Sequence, residues 1–313
     1  MKNIVTGGAG FLGSHLIDKL IERGEKVLCI DNLTTGSINN ISHLFENDSF
    51  EFIEHDVINP IKLSCDRVWH LACPASPIQY QKNPIKTTKT SFLGTYNMLG
   101  IARANKARLL FASTSEVYGD PEISPQKESY KGSVNPIGIR SCYDEGKRIA
   151  ESLCFYYFRT HNVEIRIARI FNTYGPRMAQ NDGRVVSNFI CQSLLNESIT
   201  IYGDGNQTRS FCYVDDLING FIKVMESNVT GPINLGNPNE ITINQLANKI
   251  KSKIDDNLNI VHKQLPQDDP KQRKPDITKA KEILNWEPKF DLDLGLDLTI
   301  NYFKRVVQNE KEN

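Results

Sequence analysis

Ile4-Val5-Thr6-Gly7-Gly8-Ala9-Gly10-Phe11-Leu12-Gly13-Ser14 joins an apolar run to an amphipathic one through three glycines at G-x-x-G-x-x-G spacing. A strand-to-helix turn of this kind needs glycine for three reasons. The turn is tight, the backbone must approach a pyrophosphate, and the helix must pack close to the strand. The helix start then turns unpaired N–H groups and the positive end of its dipole toward the phosphates. Gly7, Gly10, Phe11, Leu12 and Gly13 are therefore candidate cofactor contacts. A glycine-rich turn with no ligand would show the same pattern. Asp31 separates the two readings, because it ends the next strand-like run at the distance expected of an acid that binds the adenosine ribose hydroxyls. A carboxylate there repels a 2′-phosphate, so the expected cofactor is NAD and not NADP.

Outward from this loop, short apolar runs alternate with helical patterns. Residues 3–6, 26–30, 50–54, 67–71 and 108–113 read as strands, and residues 11–23 and 90–105 as helices between them. That alternation predicts a parallel sheet covered on both faces, an α/β fold of the Rossmann-type doubly wound class. A helix over 143–160 and a strand over 163–170 follow. Beyond residue 172 the elements shorten, with helices expected at 185–196, 215–226, 243–254, 278–284 and 292–307. The expected organisation is an NAD-binding domain mainly over 1–171. Residues 172–313 mostly form a smaller C-terminal α/β substrate lobe, some segments returning to the first domain. Asn32, Thr34, Thr35 and Gly36, just past the acid, join the expected cofactor contacts, as do Asp56, Val57 and Leu71 at later strand ends. Asp56 taken alone reads equally well as a solvated strand-end acid.

Bulk properties narrow the partners. The 313 residues are 39% hydrophobic and 24% charged, with 37 basic and 37 acidic side chains, so no global field favours nucleic acid or a membrane surface. Any anionic ligand must be held by local charges. The seven cysteines show neither C-x-x-C nor paired histidine spacing, so no metal site is expected and a reducing compartment fits. No run of about 18 apolar residues predicts a membrane span. Motif residues from Ile4 onward leave no room for a targeting peptide ahead of them. The expectation is a cytoplasmic protein.

Tyr143 and Lys147 stand at Y-x-x-x-K spacing, which on a helix brings phenol and ammonium to one face. A free tyrosine, with a pKa of about 10, is a poor base at neutral pH. A neighbouring ammonium and a positive nicotinamide ring favour its phenolate. The same spacing also occurs on ordinary helix surfaces. Ser113-Thr114-Ser115-Glu116-Val117-Tyr118-Gly119 ends the fifth strand. Ligands of open α/β sheets bind at that end, so Thr114, Ser115 and Glu116 should face the substrate.

Together the glycine loop, Asp31, the S-T-S-E-V-Y-G segment and Y-x-x-x-K resemble the extended short-chain dehydrogenase/reductase family of nucleotide-sugar enzymes. Longer stretches at residues 70–77, 135–147, 166–177, 182–188 and 202–211 are most similar to its UDP-glucuronate decarboxylases. The resemblance implies oxidation at C4 of UDP-glucuronate, with Tyr143 and Thr114 handling the hydroxyl proton. Carbon dioxide is then lost from the 4-keto sugar, and UDP-xylose forms as NAD is reduced and reoxidised within one turnover. Related dehydratases carry Asp-Glu after the threonine, the acid protonating a departing hydroxyl. Ser115 is too weak an acid for that, whereas departing carbon dioxide needs no proton. Glu116 is expected to position the sugar.

The resemblance also assigns Asn172, Arg184, Tyr202, Gln207, Arg209 and Arg273 to the substrate, with Arg273 on its carboxylate or diphosphate and Arg209 on phosphate. Guanidinium's fixed fork suits either anion. Any one of these arginines also fits a surface ion pair. A homodimer through the helices at 90–105 and 143–160 is implied as well. The rivals are a UDP-hexose 4-epimerase or related dehydratase and, from another class, a non-catalytic NAD-binding regulatory protein.

Overall fold

The computed structural model describes every residue except Asn181, residues 265–271 and Asn313, together with the side chains of residues 310–312. Its strands are Lys2–Thr6 (β1), Lys26–Asp31 (β2), Phe50–Glu54 (β3), Arg67–His70 (β4), Arg108–Thr114 (β5) and Ile165–Ile170 (β6), followed by Thr173–Tyr174 (β7), Ile199–Tyr202 (β8), Thr208–Ser210 (β9), Cys212–Tyr213 (β10), Pro232–Leu235 (β11), Glu240–Thr242 (β12) and Ile260–Lys263 (β13). The helices are Phe11–Glu22 (α1), Pro77–Lys82 (α2), Pro84–Lys89 (α3), Thr95–Asn105 (α4), Ser141–His161 (α5), Val185–Leu194 (α6), Val214–Glu226 (α7), Ile243–Ile254 (α8), Thr278–Leu284 (α9) and Leu292–Glu312 (α10).

Seven strands form one parallel sheet in the order β11-β6-β5-β4-β1-β2-β3, so the chain reverses direction of growth between β1 and β4. Strand residues alternate strictly between two cores. Val5, Val27, Cys29, Leu110 and Ala168 pack with Leu16, Ile17 and Leu20 of α1 and Phe221 of α7. Ile4, Leu28, Ile30, Leu109, Phe111 and Ile167 pack with Met98 and Leu99 of α4 and Ala150 and Cys154 of α5. Both faces being buried is what makes the strands read as continuous apolar runs. The doubly wound class expected from sequence is the fold observed.

Three features were not anticipated. Two short helices, α2 and α3, each begin with proline, whose fixed φ suits a first helical turn. The expected helix over 90–105 opens as a π-helical turn, Thr90–Gly94, before α4. The seventh strand, β11, comes from the C-terminal half and pairs with β6. Its four residues, starting with proline, are too few to show a period of two. The rest of that half forms the two-stranded sheets β10-β7, β12-β9 and β13-β8 with helices around them.

Candidate active site

The carboxyl ends of β1, β2 and β5 open onto a cavity of about 1220 Å³, closed on its other side by residues of the C-terminal half. Gly7 sits at φ +70, and a Cβ on it would stand 2.9 Å from the backbone of Ala72. A Cβ on Gly13 would stand 2.1 Å from the Gly7 carbonyl oxygen. Neither position admits a side chain, so bare backbone faces the cavity at the start of α1. That is the cradle a pyrophosphate requires. Asp31 is buried beside it and accepts hydrogen bonds from Ala9 N (3.0 Å) and Leu33 N (2.9 Å). Burial raises its carboxyl pKa, against those backbone donors. The residues present fit the adenosine half of a dinucleotide.

Gly10, Phe11, Leu12, Asn32, Thr34, Thr35, Val57 and Leu71 line the same cavity. Gly36 and Asp56 stand behind its wall. A Cβ on Gly36 would lie 3.0 Å from both Asp31 carboxylate oxygens, so glycine there lets the loop close on the acid. Asp56 accepts from Asn32 Nδ2 at 3.1 Å and pairs with Lys86, which does line the cavity. Burial opposes it, but Lys86 and the hydrogen-bond donors hold the Asp56 carboxyl below its ordinary range.

Tyr143 and Lys147 are buried on one face of α5, in the cavity wall. Lys147 Nζ donates to the Ala112 carbonyl at 2.8 Å and lies 5.6 Å from the centre of the Tyr143 ring. Burial lowers the Lys147 pKa, while burial and then the Glu116 charge push the Tyr143 phenol well up. This qualifies the sequence expectation: the protein's own groups favour the neutral phenol, and Lys147 is directed at a carbonyl. Thr114, beside the phenol, acts against that rise and donates its own proton to Glu116.

Glu116 is the hub of the site. Its Oε2 accepts from Thr114 and from Ser115 Oγ (3.2 Å), and its Oε1 faces Arg273 Nη1 (2.9 Å) and Arg140 Nη2 (3.6 Å). Burial opposes ionisation, yet the guanidiniums of Arg273 and Arg140 hold its carboxyl at about 2. Arg140 also stands 3.9 Å from Asp144. Burial and then the Glu116 charge push the Asp144 carboxyl up to about 7. The sequence therefore supplies, at one point, a carboxylate that stays ionised and a second that titrates near neutrality.

The remaining expected substrate residues, Asn172, Arg184, Tyr202, Gln207 and Arg209, all line the cavity. Arg273 Nη1 reaches Asn172 Oδ1 at 3.4 Å. Arg184 pairs with Asp182 and lies over the Phe11 ring at 5.6 Å, next to the glycine loop. Arg209 is buried and donates to the Thr208 carbonyl at 2.8 Å. Gln207 Nε2 holds the Tyr202 carbonyl at 2.7 Å, and the Tyr202 ring is largely exposed. The first part of the stretch that carries Arg273, residues 268–271, lies outside the described residues.

Sequence reasoning missed Tyr80, Lys86 and Arg140. Tyr80 is buried and stacks on Tyr143, ring centres 5.0 Å apart and planes 3° from parallel. It and Lys86 ride on the two unanticipated helices. Arg140 lies three residues before Tyr143, within residues 135–147, and nothing in the sequence around it marks it as buried. A further network braces the site from behind. Ser113 Oγ donates to Glu151 (2.5 Å), which takes both Nε (2.9 Å) and Nη2 (2.7 Å) of Arg169.

A family model described as GDP-mannose 4,6 dehydratase matches residues 4–299. UDP-glucuronic acid decarboxylase 2 of Arabidopsis thaliana is 57% identical over 313 residues, covering 100% of this chain and 70% of its own. UDP-glucuronic acid decarboxylase 1 of Xenopus tropicalis is 54% identical over 310 residues, 99% of this chain and 74% of its own. Among solved structures, UDP-glucuronic acid 4-epimerase from Bacillus cereus, in complex with UDP-glucuronic acid and NAD, superposes with a TM-score of 0.87 at 30% identity, covering 98% of this chain and 100% of that one. UDP-glucose 4-epimerase from Thermotoga maritima gives 0.89 at 31% identity, with coverage of 98% and 100%. The loop, the Tyr143–Lys147 face and the Glu116 hub thus sit in a chain that belongs to the extended short-chain dehydrogenase/reductase family described by the GDP-mannose 4,6 dehydratase model, on its UDP-glucuronic acid decarboxylase branch.

Proposed function

We propose that the protein is an NAD-dependent carboxy-lyase that converts UDP-glucuronate to UDP-xylose and carbon dioxide. The observation that carries this reading is the Glu116 hub, which joins Thr114, Ser115 and Arg273 beside Tyr143, with Ser115 standing where the related dehydratases carry an acid. Gly7, Gly10, Gly13 and Asp31 hold the dinucleotide in this reading. When bound, NAD supplies a reversible hydride acceptor for C4 and a positive ring that favours the ionised Tyr143. Tyr143 takes the C4 hydroxyl proton, beside Thr114 in the cavity wall. The resulting ketone lies β to the carboxylate, so the C5–C6 electron pair moves toward the C4 oxygen as carbon dioxide departs. The Tyr143 hydroxyl, now protonated, stabilises the charge on that oxygen. C5 then gains a proton from solvent, and as C4 is reduced again its oxygen recovers a proton from Tyr143. Arg273 holds the uronate, while Arg184 and Arg209 serve the diphosphate. Residues 1–171 supply the cofactor side and most of 172–313 the substrate side.

Incubation with UDP-glucuronate, followed by mass, tests the reading. Loss of one carbon dioxide per sugar nucleotide, without lasting NADH, is the expected result. An unchanged mass with an altered sugar would mean epimerisation instead, the activity named for two of its structural neighbours. Among the described residues no helix is long and apolar enough to cross a membrane. The seven free cysteines support a reducing, cytoplasmic setting. A homodimer is supported by exposed Phe92, Leu93 and Tyr96 before and on α4 and by Ile149 and Tyr156 on the neighbouring α5. Light scattering at micromolar concentration should give twice the chain mass, and the mass of one chain would remove the dimer.

A further inference from the structure

Arg273 rides on a stretch without regular structure, yet a catalytic guanidinium must be held to within a fraction of an ångström. A buried amide pair outside the cavity lining ties down the residues that follow it. Gln126 is 1% exposed. Its Oε1 accepts from Lys274 N (2.8 Å), its backbone N–H donates to the Lys274 carbonyl (2.8 Å), and its carbonyl accepts from Asp276 N (2.9 Å). Its Nε2 donates to the Ile123 carbonyl at 2.7 Å, which fixes the orientation of the amide. Asn234, on β11 and fully buried, donates from Nδ2 to the carbonyls of Gln126 (3.0 Å) and Asp276 (3.1 Å). Its Oδ1 accepts from the Tyr118 hydroxyl (2.8 Å), which in turn accepts from Arg169 Nη1 (2.9 Å). Tyr118 closes the short helical turn that begins with Ser115 and Glu116.

We infer that Gln126 and Asn234 are positioning residues for the reaction, a staple that sets the register of the Arg273 segment against the turn carrying Glu116. The inference rests on the reading of Arg273 as a substrate group. The physical reason is the way the hydrogen bonds converge. Residues 274 and 276 flank Arg273 closely on one side, and each has its backbone tied to Gln126. Asn234 links the same staple to Tyr118, and so to the end of β5. The distance between Arg273 and Glu116, 2.9 Å, is therefore set by amides and not by the ion pair alone. An ion pair by itself leaves a long side chain free to re-form the contact from a displaced backbone. The staple removes that freedom.

The test is a double-mutant cycle on NAD-loaded enzyme. Gln126→Leu keeps the volume and removes both side-chain hydrogen bonds. It is expected to lower kcat/KM for UDP-glucuronate about 10- to 100-fold, the scale of a displacement near 1 Å in a site. The inhibition constant of UDP, which has no sugar carboxylate, should stay within about twofold. On an Arg273→Ala background the same substitution should cost less than about twofold, because the group it positions is gone. An equal loss on both backgrounds would overturn the inference, as would an unchanged kcat/KM or a matching loss of UDP affinity. Gln126→Met fills the site with a more adaptable chain and serves the same cycle if the leucine variant does not fold. Full activity in Arg273→Ala by itself would strike at the substrate role of Arg273, and the cycle separates that outcome from failure of the staple.

Discussion

Tyr143→Phe is expected to lower kcat for UDP-glucuronate by about three to four orders of magnitude, the upper range for removing a positioned acid–base group. KM should move by less than about threefold, because the ring, its stack on Tyr80 and the arginines all remain. The cause lies in the place of the phenol, in the cavity wall beside Thr114 and Glu116. Without the phenolic oxygen the C4 proton has lost its acceptor, while Thr114 keeps its bond to Glu116. Steady-state kinetics on the purified variant, with bound NAD measured alongside, checks this. A kcat within tenfold of the parent protein would exclude Tyr143 as the base.

Glu116→Gln has the second largest expected effect, and it divides in two. Turnover should fall by about two to three orders of magnitude, since Thr114 and Ser115 keep only a neutral amide oxygen in place of the carboxylate. Affinity for UDP-glucuronate should hold or improve, because Arg273 and Arg140 lose a competing carboxylate. Stability changes with a pH signature. The Glu116 carboxyl is held at about 2 in the folded chain, so its stabilisation is present above the ordinary carboxylate range and is lost as pH falls through 2. Asp144 runs the other way. Raised to about 7, it keeps a proton that the unfolded chain releases near 3.8, so it erodes stability as pH rises between those values. Removing the Glu116 charge relieves Asp144 and lets it ionise against Arg140. The variant's stability deficit should therefore be greatest near pH 5 and smaller by about 2 kcal/mol at pH 8. Urea unfolding at the two pH values measures it, and a deficit independent of pH would show that the two carboxyls are not coupled.

The glycine loop, Asp31 and the Tyr143–Lys147 pair were legible because each is a local pattern with a local cause: a turn that admits no Cβ, a strand end, one face of a helix. The doubly wound sheet followed from runs buried on both faces. What escaped was set by distant partners. Pro232–Leu235 becomes a strand only because β6 offers it an edge. Tyr80 on α2 looks like any apolar-phase aromatic until α5 sets Tyr143 against it. Asp56 was read as an adenine contact or a solvated acid, and the structure gives it Lys86, thirty residues on. Lys147 was expected to act on the phenol, and the Ala112 carbonyl competes for it. Gln126 carries no signal at all in a loop of mixed polarity, since its value lies in segments more than a hundred residues away.

The late arrival of β11 and α7 in the sheet has a consequence for how the chain matures. Leu16, Ile17 and Leu20 of α1 share a core with Phe221 of α7, and β6 receives its outer neighbour only when residues 232–235 exist. A chain emerging from the ribosome thus completes the whole glycine loop long before the cover for that face of the sheet has been synthesised. Until then it exposes an apolar face and a strand edge, the two surfaces most prone to aggregation. A fragment ending at residue 171 should accordingly need a chaperone or detergent to stay in solution. Helix α1, with its bare-backbone N-terminus, is held in place for its ligand by residues translated some two hundred positions later.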